Sequence, residues 1–216
     1  MLPYALSYSA LAGSLQRQRS AERPLLVCID GCGASGKSTI ARGLAAASEA
    51  IQIIHGDDFY RPPADRYAGP SAERPIAADF DLGRLRAEVL LPLRSGLPAA
   101  YHVYDWTTDC VSAGTLPVTK PIVVVEGVYS FSLAQSGWFD FSVWVECPRN
   151  LRLARGLERD GEAARSRWEQ DWMIGEDQYM QRECPHDRVA LVCDGSRDDC
   201  DSGVVVLCER QALRPR

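Results

Sequence analysis

The stretch that most constrains this chain is residues 25–39, which read LLVCIDGCGASGKST. Its first five residues are apolar, and such a run is typical of a strand buried on both faces of a parallel sheet. The next residues fit the pattern G-x-x-x-x-G-K-[ST], in which a glycine-rich backbone aims its N–H groups at one point. Residues 40–47 are rich in alanine and predict a helix whose N-terminus faces the same point. The stretch therefore predicts a strand, a phosphate-binding loop and a helix.

Two side chains of this loop offer chemistry that backbone amides lack. Lys37 supplies a positive charge for phosphate groups, and the hydroxyl of Ser38 is a ligand for Mg²⁺. We expect nucleotide contacts from Gly31, Gly33, Ala34, Ser35, Gly36, Lys37, Ser38 and Thr39. A glycine turn without a ligand is the alternative, and the flanking strand and helix make it the weaker interpretation.

Length and charge limit the class of protein. The chain has 216 residues, enough for one sizeable core, and we predict a single domain over residues 1–216. The formal net charge is −5 and the basic residues form no long tract, so we expect no nucleic-acid partner. No apolar run approaches the length of a membrane span, so we expect no membrane partner. Residues 1–20 lack a basic region ahead of the apolar residues and match a signal peptide poorly.

The eight cysteines point to a compartment rather than to a metal. None belongs to a C-x-x-C pair, and no spacing of His and Cys resembles a zinc site. Reduced thiols in the cytoplasm are the better interpretation. Cys32 lies inside the phosphate loop, where it is either a reactive thiol near the nucleotide or, more commonly, an inert loop residue.

The order of predicted elements indicates an α/β fold. Predicted strands cover residues 25–29, 51–55, 100–104, 121–126, 142–146 and 189–192, and residues 204–207 form either an edge strand or a packed tail. Predicted helices cover residues 4–19, 40–47, 81–93, 151–159 and 168–182. This alternation predicts a doubly wound parallel sheet of about five strands flanked by helices, with ligands at the carboxyl ends of the strands.

Acidic residues follow two of these strands directly. Asp57 and Asp58 come after the strand at residues 51–55, and Glu126 ends the strand at residues 121–126. Phosphoryl transfer needs a divalent metal between phosphate oxygens and a carboxylate near the attacking hydroxyl. Ser38, Glu126 and one of the two aspartates supply these groups. The alternative for Asp57 and Asp58 is a solvated turn.

Arginines cluster after the strand at residues 142–146. Arg152, Arg155 and Arg159 recur at spacings of three and four, so they share one helix face. Arg165 and Arg167 follow the Asp-Gly step at residues 160–161. A flexible segment over residues 155–167 could close on the γ-phosphate and stabilise charge in the transition state. The alternative is a solvated helix face that pairs with neighbouring glutamates.

Aromatic residues after strand ends suggest a cleft for the second substrate. Tyr60, Tyr104 and Trp106 could stack on a planar ring, although packing in the core is the more frequent fate of such residues. Residues 57–80 lack helical or strand periodicity and form the predicted substrate-side loop.

Together these segments resemble the uridine kinase family of P-loop kinases. The resemblance covers residues 25–195 and rests on GCGASGKST, DDFYRP, YDW, VVVEG and RLARGLERD in that order. It implies the P-loop kinase fold with an arginine-rich lid, and it implies ATP and Mg²⁺ as cofactors. In such a kinase Asp57 is the catalytic base and a metal neighbour, and Glu126 helps to hold Mg²⁺. The residues given phosphate roles by the resemblance are Lys37, Arg155, Arg159, Arg165 and Arg167.

The chain departs from the family at the acceptor. Family members place a histidine on the base five residues after the YDF tyrosine, whereas this chain has Asp109 there. An aspartate accepts hydrogen bonds only, so we expect the acceptor to present donor groups to Asp109. The family's ribose-binding aspartate has no clear equivalent in RPIAADFD, where Asp79 is displaced at best.

These observations predict a kinase of a small molecule. The first candidate for the acceptor is a nucleoside such as uridine or cytidine. The alternatives are another hydroxylated metabolite, including nicotinamide riboside, pantothenate or an antibiotic, or a P-loop nucleotide-binding protein without transfer activity. A homo-oligomer is compatible with the sequence, which does not define the oligomeric state.

Overall fold

The strands of the computed structural model build one central sheet and one separate hairpin. The structure describes residues 4–70, 73–197 and 204–207. Its strands are β1 (Tyr4–Ser7), β2 (Leu25–Asp30), β3 (Ile51–His55), β4 (Ala99–Asp105), β5 (Cys110–Val118), β6 (Ile122–Glu126), β7 (Phe141–Glu146), β8 (Leu191–Asp194) and β9 (Val204–Leu207). The central sheet has the order β1-β9-β8-β7-β2-β6-β3, and β4 pairs with β5 alone.

The helices cover both faces of this sheet. They are α1 (Tyr8–Arg17), α2 (Lys37–Ala47), α3 (Leu82–Leu85), α4 (Leu91–Arg94), α5 (Arg149–Asp160), α6 (Arg165–Arg167), α7 (Met173–Glu183) and α8 (Pro185–Arg188). A π-helical segment, Arg86–Leu90, joins α3 to α4, and a second one, Trp168–Trp172, joins α6 to α7. None of the helices in the described ranges is long and apolar enough to cross a membrane.

Five parallel strands in the order β8-β7-β2-β6-β3 confirm the predicted doubly wound sheet. Strand β2 is buried along its whole length, as its apolar sequence predicts. Its register pairs Ile29 with Glu126, and β3 pairs His55 with the same residue. The three strands therefore end at one level, and this level is the edge at which ligands of such sheets bind.

The core has two layers, one on each face of the sheet. Leu15, Ile40 and Leu44 of α1 and α2 pack on one face, and Leu85 and Val89 pack on the other. The alternating side chains of β2 and β6 contribute to both layers, which is the physical reason for their uninterrupted apolar sequences.

Four predicted elements differ from the structure. Tyr4–Ser7 is a strand rather than the start of a helix, because β9 offers it a partner and the Ser7 hydroxyl caps α1 by accepting from the N–H of Ala10. Residues 204–207 form a strand, as one of the two predicted alternatives has it, but this strand lies between β1 and β8, and β1 takes the edge of the sheet. The last parallel strand lies two residues later than predicted, at Leu191–Asp194. The predicted strand at residues 100–104 pairs in a separate antiparallel hairpin with β5, a strand that the sequence did not predict, and is not part of the central sheet.

Candidate active site

The carboxyl ends of β2, β3 and β6 open into a cavity of about 870 Å³. Among the residues predicted for a site, those that line it are Gly33, Ala34, Ser35, Gly36, Lys37, Ser38, Thr39, Asp57, Tyr60, Trp106, Glu126, Arg155, Arg159 and Arg167. Four others, Gly31, Tyr104, Asp109 and Arg165, are not part of its lining. One chamber thus joins the phosphate loop, the acids at the strand ends and most of the arginines.

The phosphate loop wraps around the N-terminus of α2. Gly36 has φ 103°, a left-handed conformation that glycine adopts without steric cost, and it precedes the first residue of the helix. No side chain of the described residues caps this first turn, so the N–H groups of Lys37 and Ser38 remain available to an anion, whereas that of Thr39 donates to the carbonyl of Gly36. The ammonium group of Lys37 donates a hydrogen bond to the carbonyl of Cys32, 2.8 Å away, which holds it across the loop.

A fully buried carboxylate fixes the start of the loop. Asp30, the last residue of β2, accepts hydrogen bonds from the N–H groups of Gly31 (2.6 Å) and Phe131 (2.8 Å) and from the hydroxyl of Tyr179 (2.6 Å). Burial raises the pKa of Asp30 to about 6, although these donors act in the opposite direction. Gly31 does not face the cavity, and a side chain there would meet the carbonyl of Val145.

Glu126 and Ser38 bring together the oxygen ligands expected for Mg²⁺. The Ser38 hydroxyl donates to Glu126 Oε1 at 3.0 Å, and His55 Nδ1 lies 2.6 Å from the same oxygen. Burial alone would raise the pKa of Glu126, but the hydrogen bond from His55 and the charge of Lys37 lower it. The same hydrogen bond raises the pKa of His55. An ionised carboxylate beside a hydroxyl fits a hard divalent cation.

The two aspartates after β3 point to different places. Asp57 lies in the cavity, where its side chain is open to the chamber yet enclosed by protein atoms on its other sides. Removal from bulk water, together with repulsion from Glu126, raises the pKa of Asp57. Asp58 lies outside the cavity lining and accepts a hydrogen bond from the hydroxyl of Tyr101 in the hairpin. The structure therefore separates the two acids that the sequence leaves adjacent.

The first two lid arginines come from α5. Arg155 donates to the carbonyl of Gly195 at 2.6 Å, so it bridges the lid and the segment after β8. Arg159 forms two hydrogen bonds with Asp160, at 2.7 and 3.0 Å, and lies 5.8 Å from the ring of Trp168. Both arginines border the chamber of the phosphate loop.

The last two lid arginines are placed differently from each other. Arg167 lines the cavity with its guanidinium 5.7 Å from the ring of Trp172. Arg165 is paired with Glu162 and with Glu169, the latter at 3.0 Å, on the outer surface. The placement of Arg165 matches the alternative given above for the arginines, a solvated helix face that pairs with neighbouring glutamates.

An aromatic and ionic group, most of it from the predicted substrate-side loop, lines the part of the cavity where the sequence predicts the acceptor. We call Tyr60, Arg74, Asp79, Phe80 and Trp106 the acceptor group. The ring centroids of Tyr60 and Trp106 are 4.8 Å apart, and the Tyr60 hydroxyl donates to Asp79 at 3.1 Å. Arg74 is ion-paired with Asp79, and both side chains are largely buried. This arrangement offers flat apolar surface next to hydrogen-bonding groups, as a small polar ligand requires.

Tyr104 and Asp109 do not take the predicted places in the acceptor site. Tyr104 is buried, and its hydroxyl hydrogen-bonds both Asp109 and Arg66. Asp109 has φ 54° in the turn between β4 and β5, and its carboxylate lies 3.3 Å from Arg66. The hydrogen bond from Tyr104 lowers the pKa of Asp109. Both hydrogen bonds use Oδ1, so part of the carboxylate's acceptor capacity is engaged within the protein, and the predicted contact of Asp109 with donor groups of a ligand stays a prediction.

Several residues of the site escaped the analysis of the sequence. Arg74 lies in a loop without periodicity, and only its position in the predicted substrate-side segment hinted at it, whereas Asp79 in the same loop was considered only as a displaced equivalent of the family's ribose-binding aspartate. Asp30 carried a usable signal, since an acid that ends a buried strand needs partners. Glu176 and Trp168 gave no signal, because their partners are distant in sequence.

Comparisons with known proteins agree with this geometry. A nicotinamide riboside kinase of Eremothecium gossypii is 27% identical over 192 residues, covering 79% of this chain and 79% of that protein. A uridine kinase of Deinococcus deserti is 28% identical over 148 residues, covering 64% of this chain and 69% of that protein. The solved structure of a possible uridine kinase from Bacillus stearothermophilus has the same fold, with a TM-score of 0.67 at 23% identity, covering 86% of this chain and 96% of that one.

A family model assigns the chain. The model described as Phosphoribulokinase / Uridine kinase family matches residues 26–171, which is well over half of the sequence. The matched region runs from the phosphate loop through the strand-end acids to the arginines of the lid. The chain belongs to the phosphoribulokinase/uridine kinase family of kinases.

Proposed function

We propose that this kinase transfers the γ-phosphoryl group of ATP to a hydroxyl group of a small molecule. The observation that carries the proposal is the position of Asp57, which lies in the same cavity as the phosphate loop and the acceptor group. A carboxylate at that junction can orient and deprotonate a hydroxyl that attacks the γ-phosphate. Its raised pKa makes it a better proton acceptor than an ordinary aspartate.

The phosphate side of the cavity would bind and position the nucleotide. Lys37 and the free N–H groups at the start of α2 would hold the phosphates. Ser38, Asp57 and Glu126 would hold Mg²⁺, since they present the oxygen donors that this ion prefers. When bound, the ion neutralises charge on the phosphate oxygens.

The lid would stabilise charge on the transferred group and exclude water. Arg155, Arg159 and Arg167 already border the chamber and reach it from one side. Arg165 would join them only if the lid rearranges with nucleotide bound, because its present partners are Glu162 and Glu169. Closure of such a segment keeps the phosphoryl group from water.

A nucleoside is the first candidate for the acceptor. The support comes from the relatives named as uridine kinase and nicotinamide riboside kinase, and from the stacked pair of Tyr60 and Trp106 beside Asp79. A ring can stack on the aromatic pair, and Asp79 can accept hydrogen bonds from sugar hydroxyls. Another hydroxylated metabolite, of the pantothenate or antibiotic type, is the alternative. We further propose a cytoplasmic enzyme, since the cysteines within the described ranges are free thiols.

A panel of acceptors tests the proposal. The purified protein is incubated with MgATP and one candidate at a time, and ADP release and the mass of the product are measured. We expect ADP release that depends on one acceptor and a product heavier by one phosphoryl group. Lys37→Ala should lose this activity while it keeps its fold by circular dichroism. ADP release at the same rate with and without every acceptor would contradict a kinase and indicate nucleotide hydrolysis.

A further inference from the structure

A buried glutamate of α7 contacts the phosphate loop directly. Glu176 is only 3% exposed, and its Oε1 accepts a hydrogen bond from the N–H of Gly33 at 2.8 Å. Its Oε2 accepts from Arg152 at 2.6 Å. One carboxylate therefore joins the loop to two helices, because Arg152 belongs to α5 and Glu176 to α7.

The buried ion pair with Arg152 holds the Glu176 carboxylate against the phosphate loop. Arg152 is 4% exposed and also donates to the carbonyl of Cys147 at 3.2 Å. Departure of Glu176 would leave a buried guanidinium without its counter-charge, which is strongly unfavourable. The carboxylate is therefore held in place rather than poised to leave when phosphate arrives.

The loop fits closely against this carboxylate. A Cβ atom on Gly33 would lie 2.9 Å from Glu176 Oε1, closer than real Cβ atoms come to a neighbour, and 3.0 Å from the ring of Trp168, which is a very tight contact. The indole N–H of Trp168 donates to Asp160 at 3.0 Å. The absence of a side chain at Gly33 thus allows the loop backbone to approach both Glu176 of α7 and the ring of Trp168.

The same helix makes a second contact with the loop three residues later. Tyr179 donates to Asp30 at 2.6 Å, and Asp30 accepts from the N–H of Gly31 at 2.6 Å. Residues three apart share a helix face, so α7 presents Glu176 and Tyr179 together. The N–H groups of Gly31 and Gly33 are bound to carboxylates, and those at the start of α2 remain for an anion.

We propose that Glu176 is a positioning residue that holds the phosphate loop in its nucleotide-binding conformation and couples it to α7 and to α5, the helix that carries the first two lid arginines. The proposal rests on the proposed function only in taking ATP as the ligand. Without Glu176 the N–H group of Gly33 loses its hydrogen bond to a carboxylate. The loop must then be ordered when the nucleotide binds, which costs binding free energy. Nucleotide affinity is therefore the quantity that the residue should control.

The test compares Glu176→Gln and Glu176→Ala with a matched control. Glutamine keeps an acceptor for the Gly33 N–H but loses the charge opposite Arg152, whereas alanine loses both. Asp177→Asn is the control, since Asp177 is the next residue of α7, is 44% exposed and pairs with Arg149 at 3.5 Å on the surface. MgATP affinity is measured by calorimetry, and protection of the Gly33 amide by hydrogen exchange.

We expect Glu176→Ala to bind MgATP roughly 10- to 100-fold more weakly, as for the loss of a buried hydrogen bond to a charged group. Glu176→Gln should fall between this variant and the wild type, with a partly protected Gly33 amide. Asp177→Asn should bind like the wild type, and the KM for the acceptor should change in none of them. These readouts separate a positioning role from a general loss of stability.

Two results would overturn the inference. Unchanged affinity in folded Glu176→Gln and Glu176→Ala would show that the loop needs no brace, and tighter binding would show that Glu176 competes with phosphate. If Glu176→Ala does not fold, the MgATP affinity of Glu176→Gln and the hydrogen-exchange protection of the Gly33 amide in the wild type and in Glu176→Gln decide the question. Wild-type protein that binds MgATP but phosphorylates no acceptor would instead contradict the proposed function alone.

Discussion

The phosphate side and the acceptor side of the cavity are built in different ways. On the phosphate side, backbone N–H groups of one short loop are aimed by buried acids such as Asp30 and Glu176. On the acceptor side, side chains contact side chains, as in the pairs of Arg74 with Asp79 and of Tyr60 with Trp106. Backbone geometry survives most substitutions nearby, whereas a side-chain pair is lost with either partner. A single substitution should therefore disturb the acceptor side more than the phosphate side.

The strongest test of this contrast lies at Asp57, where the two sides meet. Asp57→Asn should lower kcat roughly 10²- to 10⁴-fold, the usual contribution of a general base, with a smaller change in ATP affinity. Steady-state kinetics with the acceptor found in the panel measure it. Asp58→Asn is the matched control and should affect stability rather than kcat, because Asp58 contacts Tyr101 outside the cavity. Loss of kcat in the control alone would assign the base to Asp58.

The next test concerns the buried acid of the phosphate side. The pKa of Asp30 rises from its ordinary value of 3.8 to about 6 on folding, so folded protein binds this proton more tightly than unfolded protein does. Well below pH 4 the residue is protonated in both states, and well above pH 6 it is ionised in both. As the pH rises from 4 to 6, the free energy of unfolding of the wild type should therefore fall by about 3 kcal/mol compared with that of Asp30→Asn.

Urea unfolding of both proteins at four pH values measures this difference. Asp140 gives a control of opposite sign: burial alone would raise its pKa, but the hydrogen bonds from Arg23 and from the N–H of Leu26, with the charges of Arg23 and Arg94, together lower it. Its contribution is present at neutral pH and is lost as the pH falls through the lowered pKa. Parallel curves for the wild type and Asp30→Asn would contradict the shift at Asp30.

A smaller effect is expected from the acceptor group. Arg74→Ala should raise the KM for the acceptor about tenfold, because it leaves Asp79 without its ionic partner and changes the group that faces the ligand. The KM for ATP should stay unchanged, since Arg74 belongs to the other side. Arg94→Ala is the control from outside the cavity lining, since its side chain pairs with Asp140 at 2.8 Å, and it should leave both KM values unchanged. Equal changes in both KM values would show that the two sides are coupled.

The smallest effect is expected at Arg165. Its exposed pairs with Glu162 and Glu169 contribute little, so Arg165→Gln should change kcat/KM for ATP about twofold or less. Arg167→Gln should have the larger effect, because Arg167 lines the cavity. The reverse order would show that the lid rearranges around the nucleotide and brings Arg165 to the phosphates, as the family resemblance implies.

The sequence by itself determined the phosphate side almost completely. The loop, its lysine, the following helix and the strand of Glu126 were predicted from fewer than ten residues each, because a buried parallel strand and a glycine-rich turn have strong local patterns. The parallel sheet followed from the alternation of elements and is confirmed by the order of β8, β7, β2, β6 and β3. The choice of Asp57 over Asp58 came from the family resemblance, and the structure places Asp57 in the cavity.

Only the tertiary structure decided the acceptor side and the bracing of the loop. Gly33 and Glu176 are 143 residues apart, and no local pattern selects one partner among many acids at such a distance. Asp109 matched a position in the family segment, but in the β4–β5 turn its carboxylate accepts a hydrogen bond from Tyr104 and pairs with Arg66. Strand Tyr4–Ser7 likewise required β9 as its partner before it could be a strand. Local sequence sets backbone conformation, whereas the burial of charges and the pairing of distant side chains depend on which surfaces the whole fold brings together.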